Sequence, residues 1–304
     1  MPNTSDQLKS ASKYGINPAD YKLIKALMKR EPNDTELVLI SKLLYEEPEI
    51  IYSRSKLVKL IEVRKPVLKG IKKGCSGAFE ISGEYACVIN ILQGHEYGKP
   101  EESGLLNMAR AMHSIIVTGA RPVAHIFTLK YKPSKSNDIV NNICEYSNNT
   151  FIPVIKINIC FDKNLKQYPF LSTMTLGIVK KDRLRPKDKI DAGQPVFILG
   201  FAGSKKECGD NIWSLIRDKY SASNKVPAVI NHMREKLFVE GVLELLDNEL
   251  ANTASVIGKT GIIGAVTDLL SSNNTGVRLN IDKLYDNSAI DSQYKMLYEY
   301  LPGS

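Results

Sequence analysis

Apolar residues along this chain follow two spacings, and the spacing switches several times. Tyr21, Ile24, Leu27 and Met28 recur every three or four residues behind Asn17-Pro18, a helix cap with proline at the first helical position. Leu37, Ile40, Leu43 and Leu44 repeat the pattern behind Asn33-Asp34-Thr35, so two helices are predicted near the N-terminus. Short runs rich in Val, Ile and Phe then predict strands at Ala78–Ile81, Ala86–Ile91, Val123–Leu129, Val154–Ile159 and Thr173–Val179. Helical spacing returns over Glu102–Thr118 and Asp138–Asn148. Further on, Pro195–Gly200 and Gly276–Ile281 read as strands. Asn211–Asp218, His232–Asp247 and the Gly-spaced Gly258–Leu270 read as helical.

Strands mixed with helices in two successive blocks predict an α+β fold. The charged stretch Asp182–Gly193, which carries Pro186, marks a boundary between the blocks. A chain of 304 residues suits two domains better than one.

Composition narrows the function classes. The N-terminus MPNTSDQLKSASKYG is polar, and no apolar run approaches the roughly 20 residues of a membrane span, so a cytoplasmic protein is expected. The net charge of +8 gathers in Lys56–Lys73 and Lys180–Lys187. Such a surface favours anionic partners, an acidic protein among them. Neither cluster is interleaved with aromatic residues, which argues against nucleic acid. Cys75, Cys87, Cys144, Cys160 and Cys208 are scattered without a CxxC, as reduced thiols are, and offer no metal-ligand spacing.

Candidate chemistry is sparse. His95, in Ile91-Leu92-Gln93-Gly94-His95, follows a strand and precedes a helix, where catalytic loops are often built; a loop histidine without a role, marking the place of a lost site, is the expected reading. His113 and His232 read as packing or surface residues. Glu46-Glu47 and Glu101-Glu102 are adjacent carboxylates, but Glu-rich helix ends are ordinary. Gly203 and Lys205, in the Gly200–Lys206 stretch, look like a phosphate loop without P-loop spacing.

Several segments, taken in order, carry a family likeness. They are Arg30-Glu31-Pro32-Asn33-Asp34, Gly119-Ala120-Arg121-Pro122, Leu176–Arg183, Gly193-Gln194-Pro195-Val196, Glu235-Lys236-Leu237 with Leu243-Glu244-Leu245, and Thr275-Gly276 with Ile281-Asp282-Lys283. Over about residues 15–295 the chain resembles the first half of the synthetase chain of phosphoribosylformylglycinamidine synthase. That family makes an amidine in purine synthesis with ATP and ammonia. The resemblance implies a helical linker segment over 1–66 and an AIR-synthetase N-terminal-like α+β domain over 67–185. An incomplete C-terminal-like domain would cover 186–304.

The family's chemical positions are altered here. Glu47 stands where the family has a helix-end histidine, and His95 lies one position beyond a two-histidine loop. The Gly-rich helix start that cradles phosphate corresponds to Ser103–Ala109, and its metal-binding aspartate corresponds to Ser114. In the second domain Lys259 replaces another metal-binding aspartate, while Gly261 and Gly264 stay; Lys156-Ile157-Asn158 replaces a Gly-Gly-Glu segment. Magnesium needs hard oxygen ligands, which serine and lysine at these places do not supply.

The expected protein is therefore a catalytically degenerate relative that binds no metal or cofactor and works as a scaffold. It would form a homodimer, or pair with a related synthetase-like chain, through its first α+β domain. The alternatives are an ATP- and magnesium-dependent C–N ligase, and a nucleotide sensor without turnover that uses Gly203, Lys205, Lys259 and Gly261.

Overall fold

The computed structural model describes residues 9, 11–45, 76–95, 100–131, 136–163, 170–185, 190–199, 232–258, 260–270 and 275–280. Two helices, α1 (Pro18–Met28) and α2 (Asp34–Tyr45), begin where local capping chemistry places them. Asn17 Oδ1 accepts from the amides of Ala19 and Asp20 at 3.0 and 2.9 Å. Asn33 Oδ1 accepts from the Glu36 amide, and Glu36 returns the bond to the Asn33 amide, both at 2.8 Å. That reciprocal pair is a capping box, satisfying two amides the helix itself leaves open.

Five strands form one sheet in the order β1-β2-β5-β3-β4. They are β1 (Ser76–Glu80), β2 (Tyr85–His95), β3 (Arg121–Tyr131), β4 (Val154–Phe161) and β5 (Phe170–Lys180). Helix α3 (Pro100–Ile116) carries the chain from β2 to β3, and α4 (Ser136–Thr150) carries it from β3 to β4. Strand β5 returns antiparallel between β2 and β3, so the crossover through α3 steps over it. The expected sheet and its two covering helices are therefore present, with strands longer than their apolar runs.

Helices α3 and α4 cover one face of the sheet, joined by α5 (His232–Asp247). Met108, Met112, Phe127, Leu129, Ile143, Tyr146, Leu243 and Leu246 form the core between them. Gly104 lets α3 approach α4: a Cβ there would meet Ile143 Cγ1 at 3.1 Å. A separate cluster joins α1 and α2 to α6 (Gly261–Leu270) through Tyr14, Ile16, Tyr21, Leu37, Ile262 and Val266.

Two expected strands are corrected. The described parts of Pro195–Gly200 and Gly276–Ile281 pair with no strand among the described residues, and Phe197 is 78% exposed. An apolar run becomes a strand only when another strand takes its backbone groups, and none among the described residues does. The expected helix at Asn211–Asp218 lies outside the described residues.

Candidate functional site

The second face of the sheet carries no helix among the described residues, and it is apolar. Alternation sends Val88, Asn90, Thr175 and Gly177 towards the helices, so Cys87, Ile89, Ile91, Met174, Leu176 and Ile178 point the other way. Register makes them contiguous. Ile91 pairs with Met174, which pairs with Ile126; Ile89 pairs with Leu176, which pairs with Ala124; Cys87 lies between Phe79 and Ile178. Ile91 is 54% exposed, and Phe79, Tyr85, Val123 and Ile178 are each more than a third exposed. Partial burial raises the Cys87 thiol above its ordinary pKa, so it sits in this surface as an uncharged apolar group. Towards the β4 edge the face turns polar, through Thr128, Lys130, Lys156 and Asn158. An apolar patch of this extent with a polar margin is what protein association surfaces present.

The residues singled out from sequence are spread through the fold. Ser114 is half-buried on α3; its hydroxyl donates to the Arg110 carbonyl at 3.0 Å, and its own carbonyl accepts from Ser76 Oγ at 2.8 Å. Gly261 opens α6 with φ +69° and donates its amide to the Gly258 carbonyl at 2.8 Å. Ser114 thus packs above β1, whereas Gly261 opens the helix whose Ile262 and Val266 join the cluster with α1 and α2. His95 closes β2 opposite Phe170; its side chain, with Glu47, Gly203, Lys205 and Lys259, lies outside the description. The Ser103–Ala109 segment is not a helix start, because α3 begins at Pro100 and runs through it. Among the described residues no cluster of three His, Cys, Asp or Glu side chains could hold a metal.

One buried polar cluster escaped the sequence. His113 Nε2 lies 2.6 Å from Glu235 Oε1, and both residues are almost fully buried. Tyr146 donates its hydroxyl to the same oxygen at 3.1 Å, and burial first, then Glu235, pushes the phenol well above its usual pKa. Helices α3, α4 and α5 each supply one member. Arg121 and Glu240 make a second, exposed tie to α5 through two bonds of 2.8 and 3.0 Å. The signal for the buried cluster was thin: a histidine and a glutamate 122 residues apart, each on an otherwise ordinary helix.

No family model matches the chain. Among curated proteins it is 27% identical over 296 residues to the phosphoribosylformylglycinamidine synthase subunit PurL of Pelagibacter ubique, covering 93% of this chain and 40% of that one. The Thermotoga maritima PurLQS structure superposes with a TM-score of 0.73 at 20% identity, over 93% of this chain and 44% of that chain. Thermotoga maritima PurL complexed with ATP gives 0.72 at 20% identity, over 92% and 44%. The chain is an AIR-synthetase-like relative of phosphoribosylformylglycinamidine synthase. This PurL-like chain spans about 40% of the length of the curated relatives it matches. Its sheet and helices have the AIR-synthetase-like fold that the ordered segments implied.

Proposed function

We propose that the chain is a binding and scaffold subunit derived from the PurL fold, which associates through the open face of its five-stranded sheet and does not carry out the family's reaction. The observation that carries this reading is the contiguous apolar surface from Phe79 across Cys87, Ile89, Leu176 and Met174 to Ile126. A second copy of the chain covers it by isologous pairing; a related synthetase-like chain is the other partner of the same shape. The domain plan is that expected from sequence, with boundaries after residues 66 and 185, and the protein works in the cytoplasm. No helix among the described residues is long and apolar enough to cross a membrane. The basic stretch Lys56–Lys73 stays outside the pairing, available to an acidic protein.

Three local facts support the absence of the family reaction. Ser114 cannot replace a carboxylate as a magnesium ligand, and its hydroxyl is engaged by a helix carbonyl. The segment corresponding to the phosphate cradle lies within α3, so its amides face the preceding helical turn rather than an anion. Gly104 is accounted for by close packing against Ile143.

Sedimentation of the purified chain at micromolar concentration tests the proposal. A dimer is expected, and Ile89→Asp or Ile126→Asp should convert it to monomer by placing a carboxylate in the interface. A wild-type monomer that keeps its solubility, with both variants unchanged in mass, would end it.

A second reading is supported by the solved relative complexed with ATP. The chain then binds a nucleotide, either as an ATP- and magnesium-dependent ligase or as a sensor without turnover, with Gly203, Lys205, Lys259 and Gly261 at the phosphates. Calorimetry with ATP, with and without magnesium, separates these: heat only with magnesium favours the enzyme, and heat without hydrolysis favours the sensor.

A further inference from the structure

On the face covered by α3, four strands contribute a polar row. Ser76, Asn90, Thr175 and His125 occupy successive paired positions across β1, β2, β5 and β3, and all four are buried. Thr173 lies two positions back along β5, and Asn107 comes from α3; both are buried too. At one end the packing is dry, because Ile115 presses so closely on Gly177 that a Cβ there would lie 2.4 Å from its Cγ2. Helix α3 and strand β5 run in the same direction, so stepping back from that contact pairs helical turns with alternate strand positions. One turn back from Ile115 is Ala111, and two turns back is Asn107; along β5 the steps reach Thr175 and then Thr173. The small Ala111 stands where the polar row begins.

Part of the row is satisfied within the protein. Ser76 bonds the Ser114 carbonyl, and His125 Nδ1 lies 2.9 Å from Thr175 Oγ1. His125 Nε2, Thr173 Oγ1 and both amide atoms of Asn107 have no hydrogen-bond partner among the described residues. A buried donor or acceptor left unmatched forfeits its hydration without return, and native interiors almost always supply a partner. Burial pushes the His125 pKa down to about 4, so near neutral pH its ring offers one donor and one acceptor. An amide, a hydroxyl and a neutral imidazole together want a partner that both donates and accepts, and they carry no charge to hold an ion. Water meets that description.

We propose that a small group of permanently bound water molecules lies between α3 and the sheet, held by Asn107, Thr173 and His125. These waters belong to the core. Helix α3 is then seated by direct contact at its C-terminal end and through these waters in its first half.

Two measurements on the full chain decide this. Oxygen-17 relaxation dispersion of the wild type should detect water with residence longer than tumbling, and Asn107→Leu should remove part of that signal. Thermal unfolding of the near-isosteric Asn107→Leu, Thr173→Val and His125→Phe gives the second. Each alone should lower Tm by about 3 °C or more, since it strands the water and the remaining partners. The triple variant, with no polar group left to satisfy, should recover at least half of the summed loss. A single substitution that raises Tm would overturn the proposal, as would a wild type without long-lived internal water.

Discussion

At the scale of single residues, the buried groups dominate. His113, Glu235 and Tyr146 bind three helices through one carboxylate oxygen. Removing one member of a buried hydrogen-bonded pair leaves the other without that partner, so His113→Leu should cost about 1–3 kcal/mol in urea unfolding. Adding Glu235→Leu should return part of that loss, because both partners of the hydrogen bond then leave together. His125 gives a pH signature. Its folded pKa of about 4 lies below the ordinary 6.5, so between those values the unfolded chain binds the proton more readily. The stability it allows is complete above pH 6.5 and is lost as pH falls towards 4, about 3 kcal/mol in all. Denaturant midpoints at pH 7 and 4.5 should therefore separate more in the wild type than in His125→Gln. Glu36, held near 2 chiefly by its bonds to Arg30, begins to lose its own contribution as pH falls through its ordinary 4.5, but that loss is common to wild type and variant and cancels in their comparison.

Elements show where local signals suffice. Asn17-Pro18 and the Asn33–Glu36 box mark helix starts because capping is settled within three residues. Apolar runs locate the five strands, but Pro195–Leu199 has the same look and finds no described partner, since pairing is not local. The seating of α3 on β5 depends on Gly177, beside Ile115, Ala120 and the Arg121 carbonyl. Gly177→Ala should lower stability by about 2 kcal/mol through overpacking. Combined with Ile115→Ala it should cost less than the two singles summed, which thermal unfolding of the three variants would register.

At the scale of the molecule, the sheet separates a finished side from one that is open among the described residues. Three helices and a dense core finish the first, whereas Phe79, Ile91 and Ile178 leave the second exposed. If association is the chain's work, activity and oligomerisation should come apart. The wild type incubated with formylglycinamide ribonucleotide, ATP, magnesium and ammonia should give no turnover at concentrations where it is dimeric. Turnover in that assay, lost on changing Glu47 or His95, would return the chain to the enzymes.

The sequence by itself determined what neighbouring residues can settle: helix starts, the alternation that gives each strand two unlike faces, and an ordered set of segments that resembles one family. The resemblance also singled out Glu47, Ser114 and Lys259 as places where the expected ligands differ, and the proposed loss of chemistry rests on that reading. Only the tertiary structure decided which sheet face the helices take and that β5 enters between β2 and β3. The same holds for the meeting of His113 with Glu235 across 122 residues. Periodicity reports that a face is apolar, but what covers it depends on chain connections and close packing between distant residues, which no local spacing encodes.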